Sequence, residues 1–240
     1  MVAALAFAED RLPLAERYAA LLATAGVERG LIGPREAPRM WDRHLLNCAM
    51  LTEALPDEAS VADLGAGAGL PGLVLGIARP DLTVTLVEPL ERRTAFLREV
   101  VDALGLTRVE VVRARAEALH GQRVFDVVTS RALAPLGRLL AWSMPLVAPD
   151  GVLLAMKGRS LEEEIAAAEA DLRRLGCASP EILELGAAWA QQGGLSTTRA
   201  VRVAHADPAR VAWRPAADAE PRGPRPRRRS QRTAGRRHSG

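Results

Sequence analysis

The sequence predicts an α/β fold: a seven-stranded, mostly parallel sheet covered by helices on both faces, with a helical segment in front of it. Three observations carry that expectation. From Ser60 onward, short β-branched runs alternate with amphipathic helical runs, and such alternation demands a parallel sheet buried on both sides. A glycine-rich loop, Gly65–Gly72, sits between the first strand and the first helix. The 240 residues are 48% apolar and 25% charged, the make-up of an ordinary globular chain able to bury a sizeable core.

The elements follow in order. Residues 1–59 read as helical: Leu14, Tyr18, Leu21, Leu22 and Ala25 form one apolar stripe, and Trp41, Leu45, Cys48, Thr52 and Leu55 another, both at helical spacing. The glycines and prolines of Gly30–Pro38 separate them. Ser60–Leu64 is the first strand, Leu73–Ala78 a helix, and Thr83–Glu88 a β-branched strand. Glu91–Leu104 is a helix ending at Gly105, and Arg108–Arg113 and Phe125–Ser130 are the next strands. Leu136–Val147 reads as helix and Gly151–Met156 as the fifth strand. Leu161–Leu175 is a helix with Glu162, Glu163 and Glu164 in its first turn, where the dipole favours acids, and Gly176 closing it. Glu181–Leu185 and Thr197–Ala204 are the last strands; no helix is read between them, so an antiparallel pair at the sheet edge is expected. Residues 208–240, rich in Pro, Ala and Arg, are expected to form a disordered tail behind a folded unit of residues 60–207.

The net charge of +3 hides an asymmetry. Residues 222–240 hold eight arginines and no acids, whereas residues 1–221 carry 24 basic and 29 acidic side chains. The only lysine is Lys157, so the abundance of arginine reflects composition and does not by itself mark phosphate contacts. The longest apolar stretch, Leu64–Ala78, is broken by five glycines and Pro71 and is too short to span a membrane. Residues 1–10 lack the basic start of an export signal. Two isolated cysteines, Cys48 and Cys177, suit neither a disulfide scaffold nor a metal site. A cytoplasmic protein without metal or membrane is expected.

The strongest local signal is Asp63-Leu64-Gly65-Ala66-Gly67-Ala68-Gly69-Leu70-Pro71-Gly72. Glycines there let the backbone turn sharply and approach a ligand, and the following helix offers free N–H groups. In a doubly wound sheet this is where a nucleotide binds. Glu88 ends the second strand, where a carboxylate can accept both ribose hydroxyls of an adenosine. Gly67 to Gly72 also fits the dinucleotide pattern. Asp63, however, would repel a pyrophosphate and suits a ligand with an amine or sulfonium, and no second dinucleotide half follows. S-adenosylmethionine fits better than a nicotinamide.

Further along lie Arg43-His44-Leu45, Glu88-Pro89 with Arg92-Arg93 and Phe96-Leu97, Arg115-Ala116-Glu117, Phe125-Asp126 to Ser130-Arg131-Ala132, and Lys157-Gly158. The glycine loop resembles motif I of class I (Rossmann-like) S-adenosylmethionine-dependent methyltransferases. The whole series, over roughly residues 10–205, resembles the RsmG family, also called glucose-inhibited division protein B, whose members methylate N7 of a guanine in 16S ribosomal RNA. The resemblance implies cofactor contacts at Asp63, Gly65, Gly67, Gly69, Leu70, Glu88, Ala116, Glu117 and Arg131. It sets Arg131 at the methyl-transfer site, and Arg39, Arg43, His44 and Lys157 toward RNA, with Arg131, His44 and Arg43 as candidates for the chemistry. Asn47 and Cys48 stand where the family pattern has Asp and Ser, and the arginine tail lies outside that pattern. The implied partner is 16S rRNA or the small ribosomal subunit, and a monomer is expected.

Methyl transfer is an in-line displacement that depends chiefly on placement. Guanine N7 carries a lone pair and no proton, so no general base is required, which suits a chain without an obvious nucleophile–base set. Carbon-5 pyrimidine methylation would need a cysteine after the fourth strand, and exocyclic amine methylation an Asn/Asp-Pro-Pro-aromatic motif; Ser130-Arg131-Ala132-Leu133 stands there instead. A small-molecule methyltransferase and a non-enzymatic ribosome-assembly factor are the alternatives. An aromatic content of 3% argues against a base-stacking sheet.

Overall fold

The alternation that begins at Ser60 becomes, in the computed structural model, a seven-stranded sheet; residues 3–193 and 195–211 are described. The strands are β1 (Ser60–Leu64), β2 (Thr83–Val87), β3 (Val109–Val112), β4 (Phe125–Arg131), β5 (Val147–Met156), β6 (Glu181–Leu185) and β7 (Thr198–Ala204), in the order β3-β2-β1-β4-β5-β7-β6. β1 to β5 run parallel to one another. β7 lies antiparallel to both β5 and β6, so the expected antiparallel pair closes one edge of the sheet, with β6 outermost.

The helical pieces are α1 (Ala3–Ala6), α2 (Leu12–Leu21), α3 (Leu46–Ala49), α4 (Gly72–Ala78), α5 (Glu91–Leu104), α6 (Leu136–Ser143), α7 (Leu161–Ala167), α8 (Glu169–Arg174) and α9 (Ala187–Gly193). Strand side chains alternate between two cores, as a pleated sheet requires. Val152, Leu154 and Met156 join the face covered by the N-terminal segment, α4 and α5, whereas Leu153 and Ala155 join the face covered by α6 to α8. The N-terminal segment is part of the first core: Tyr18, Leu22, Leu45 and Leu51 are buried with Val61, Leu73 and Val84. Fully burying one such side chain contributes about 1.5–3 kcal/mol, enough to hold this segment on the sheet.

Four boundaries depart from expectation. The run 136–147 is α-helical only to Ser143 and continues as a 3-10 turn, Met144–Leu146, because Pro145 offers no N–H to an α-helical ladder. β5 consequently starts at Val147 rather than Gly151, with an irregular register opposite Phe125 and Val127. The helix expected over 161–175 breaks at Ala168, which is buried beside Gly137 of α6. A helix, α9, does join β6 to β7; at seven residues it is too short for an apolar period to show. Pro208–Arg210 forms a 3-10 turn at the start of the expected tail, and 212–240 lie outside the described residues.

Strand order reverses between β1 and β4. The crevice at the carboxyl ends of these two strands is where such sheets bind ligands, and every expected site residue maps around it or just beyond it.

Candidate active site

The glycine loop leaves β1 at Leu64. The amides of Gly65 and Ala66 donate to the Val87 carbonyl at 2.8 and 3.2 Å, tying the loop to the end of β2. Gly65 has φ +67°, a left-handed backbone that favours glycine, and a Cβ there would press on the end of the Leu133 side chain. Asp63 is fully buried beneath the loop. Its Oδ2 accepts the Gly72 N–H at 2.8 Å, while Oδ1 has no partner among the described residues. Burial, with some help from Glu88, pushes its carboxyl up to about 7 against the pull of the Gly72 amide. A buried carboxylate oxygen without a donor is costly.

Glu88 follows β2 and is 1% exposed. Oε1 accepts from the Leu90 amide at 2.9 Å and Oε2 from the Gly67 amide at 3.1 Å, with Arg93 at 3.5 Å. It therefore locks the loop to the second crossover while keeping lone pairs for a ligand's hydroxyls. Beside it a cavity of about 100 Å³ is lined by Leu64, Val87, Pro89, Ala116, Glu117, Leu133 and Trp142, among others. Apolar walls with one flat indole suit an aromatic ring. Gly65 also lines a second cavity of about 290 Å³, with Gly67, Leu70, Glu36, His44 and Arg131. Gly69 is buried rather than facing this cavity; a Cβ there would strike Leu73 at 2.2 Å and the Tyr18 hydroxyl at 2.9 Å. A nucleoside with an aliphatic tail fits this pair of cavities.

At the end of β4, Arg131 meets the N-terminal segment. Nη2 donates to His44 Nδ1 at 2.8 Å and approaches the Arg43 carbonyl at 3.5 Å, and Nη1 points to Cys48 Sγ at 3.4 Å. His44 Nε2 lies 2.8 Å from Glu36 Oε2, whose other oxygen takes Arg43 at 3.2 Å. Burial, with the charges of Arg131 and Arg43, holds the His44 pKa below its ordinary value despite Glu36. The hydrogen bond from His44 holds the Glu36 carboxyl below its usual range. Burial pushes the Cys48 thiol up to about 11, leaving it no nucleophile. Ala132, next in the chain, has φ +50°, a left-handed conformation costing about 1–2 kcal/mol outside glycine. Such strain concentrates at functional sites.

Two clefts of about 390 and 650 Å³ adjoin and share Asn47, Arg131, Gly158 and Arg159. Arg39, Arg43 and Arg199 also line them, against one acid, Asp42. The expectation for Lys157 needs correction. Its ammonium is turned inward onto the Ala134 carbonyl and Glu164, both at 2.7 Å, with the side chain 7% exposed. Its ammonium braces the loop after β4, while the residue also lines the first of these clefts. Glu36 was hidden between prolines in an apparent linker, Tyr18 read as part of an apolar stripe, and Trp142, Arg159 and Arg199 carried no pattern that set them apart.

The family model described as rRNA small subunit methyltransferase G matches residues 11–190. A ribosomal RNA small subunit methyltransferase G of Nocardioides sp. is 67% identical over 98% of this chain and 90% of its own length. That of Kineococcus radiotolerans is 56% identical over 86% of this chain and 81% of its own. Among solved structures, M. jannaschii TYW2 in complex with AdoMet superposes with a TM-score of 0.51 at 15% identity, covering 69% of this chain and 76% of that one; this likeness speaks to the fold alone.

Proposed function

The chain belongs to the rRNA small subunit methyltransferase G family, and from that premise we propose that it moves the methyl group of S-adenosylmethionine to N7 of one guanine in 16S rRNA. N7 is what the resemblance to this family implies, and the site supports it by arranging placement without a free base among the described residues. Around Arg131 stand a guanidinium-bound imidazole whose Nδ1 lone pair is already engaged, a carboxylate held by Arg43 and His44, and an un-ionised thiol. A nucleophile that must first lose a proton is poorly served there. Guanine N7 has none to lose.

The cofactor supplies an electrophilic methyl on a sulfonium; the chain does the rest by holding. Asp63 would face the ammonium of the amino-acid tail, the backbone of Gly65, Gly67 and Leu70 would hold that tail, and Glu88 would take the ribose hydroxyls. Pro89, Ala116, Glu117, Leu133 and Trp142 wall the adenine cavity. Arg39, Arg43 and Arg159 meet the phosphates that flank the target, a positioning role that carries no sequence information. A monomer acting in the cytoplasm is the reading that goes with an rRNA substrate and a site drawn from one chain's residues. No helix among the described residues is long and apolar enough to cross a membrane.

A small-molecule methyltransferase and a non-enzymatic assembly factor are not favoured, since the relatives are rRNA methyltransferases by name. The test combines binding and transfer. S-adenosylhomocysteine, but not NAD, is expected to raise the melting temperature, and labelled methyl is expected in 16S rRNA. Stabilisation by NAD, or label only in small molecules, contradicts the reading.

A further inference from the structure

Arg131 is the one side chain that lines the loop-side cavity and both clefts of the basic trough. It therefore stands where cofactor and RNA meet, and its direction matters more than its charge. A guanidinium on a long stem has many rotamers unless its donors are engaged. Here three acceptors engage it: His44 Nδ1, the Arg43 carbonyl and Cys48 Sγ. With five N–H donors in a guanidinium, Nε–H and one Nη1–H have no partner among the described residues. Guanine offers O6 as an acceptor next to N7, so a donor fixed on O6 orients the base while leaving the N7 lone pair free.

The strongest of the three engagements depends on a proton two bonds away. His44 accepts from Arg131 only if Nδ1 carries a lone pair, so the ring hydrogen must sit on Nε2. Glu36 Oε2 is 2.8 Å from that nitrogen, and a carboxylate can only accept, which selects the Nε2–H tautomer. Arg43 on Oε1 holds the carboxylate in place. The charged and titratable groups in contact with this ring are thus Glu36 on one side and Arg131 on the other, with Arg43 and Cys48 adjoining them.

Resting on the function proposed above, the geometry points to Glu36 and His44 as positioning residues: Glu36 fixes the His44 tautomer, and His44 in turn aims Arg131 at the target guanine. Neither touches the reacting atoms in this scheme, and Glu36 acts wholly through its neighbour.

The test compares the full-length wild type, Glu36→Ala and Glu36→Gln. One readout is independent of activity: the ring-nitrogen NMR shifts of His44, assigned among the four histidines by their loss in His44→Asn. The wild type is expected as the Nε2–H tautomer, and Glu36→Ala as a mixture or the Nδ1–H form. In methyl transfer to small subunits, Glu36→Ala is expected to lower kcat about 10–100-fold, the usual cost of losing an orienting partner or of a misplacement near 1 Å. Glu36→Gln, which keeps an acceptor for Nε2–H, is expected to recover most of both readouts. An unchanged tautomer in Glu36→Ala, or kcat within about twofold of wild type, overturns the inference. Equal loss of activity and melting temperature in both variants overturns it too, by making Glu36 merely structural. If the wild type itself transfers no methyl, the functional reading fails, while the NMR comparison still decides the tautomer.

Discussion

At Asp63 one carboxylate oxygen is bonded to the Gly72 amide and the other is buried without a partner. Its pKa in the fold, about 7, lies above the 3.8 of an ordinary aspartate. The folded state therefore binds this proton more tightly than the unfolded one, and stability falls as pH rises from the unfolded to the folded value. Asp63→Asn removes the charge and keeps an acceptor for Gly72. In the absence of cofactor, the variant is expected to melt several degrees above wild type near pH 8.5, an effect on the order of a few kcal/mol, and the gap should narrow as pH falls below about 7 and close only below the ordinary aspartate value of 3.8. The ligand's ammonium reverses the preference, so S-adenosylhomocysteine should bind wild type more weakly as pH drops through about 7, a dependence Asp63→Asn should lack. At Lys157 the prediction separates scaffold from RNA contact. Lys157→Met is expected to lose about 1–3 kcal/mol of stability, because Glu164 is left with its charge half-buried, while the salt dependence of RNA binding stays as it was. At this scale the sequence revealed residues set by local pattern, such as Asp63, Glu88 and the loop glycines. Glu36 and Tyr18 act through partners brought near only by folding, and no spacing announces that.

Among the elements, α2 does more than cover the sheet. Its Tyr18 is fully buried and donates to the Ala68 carbonyl in the glycine loop at 2.9 Å, and Arg11, next to α2, donates to the Ile77 carbonyl in α4, also at 2.9 Å. The N-terminal segment thus props the cofactor loop from behind. Tyr18→Phe leaves the Ala68 carbonyl buried without that donor, at a cost of about 1–3 kcal/mol. The expected outcome is a lower melting temperature together with a several-fold weaker S-adenosylhomocysteine affinity, measured by calorimetry; unchanged affinity would separate the helix from the loop. The strands and long helices were legible because period and turn chemistry agreed from Ser60 through Gly176. The short α9, the break at Ala168 and the early start of β5 were not, since each is decided by packing or by one proline within too few residues for a period to form.

Over the whole molecule, charge and site must be reconciled. Residues 1–221 hold more acids than bases, which by itself opposes a polyanion, yet the clefts beside Arg131 gather Arg39, Arg43, Arg159 and Arg199 with one acid. Local field outweighs net charge when a ligand touches only that patch. Replacing Arg39 and Arg159 together by Ala is expected to weaken RNA binding and to reduce the slope of log affinity against log salt by roughly 1.4–1.8, about 0.7–0.9 for each phosphate no longer neutralised. An unchanged slope would move the RNA elsewhere on the surface. The fold and the course of the glycine loop could be read from one sequence because both follow local patterns. The trough could not, because its arginines come from four separate segments. The central claim is tested most directly by incubating the protein with labelled S-adenosylmethionine and small ribosomal subunits from cells lacking it, then mapping the modified base. Label at N7 of a single 16S guanine, abolished in Glu88→Gln, is the predicted result. No label in subunits or in free 16S rRNA, from protein that binds S-adenosylhomocysteine tightly, would contradict it.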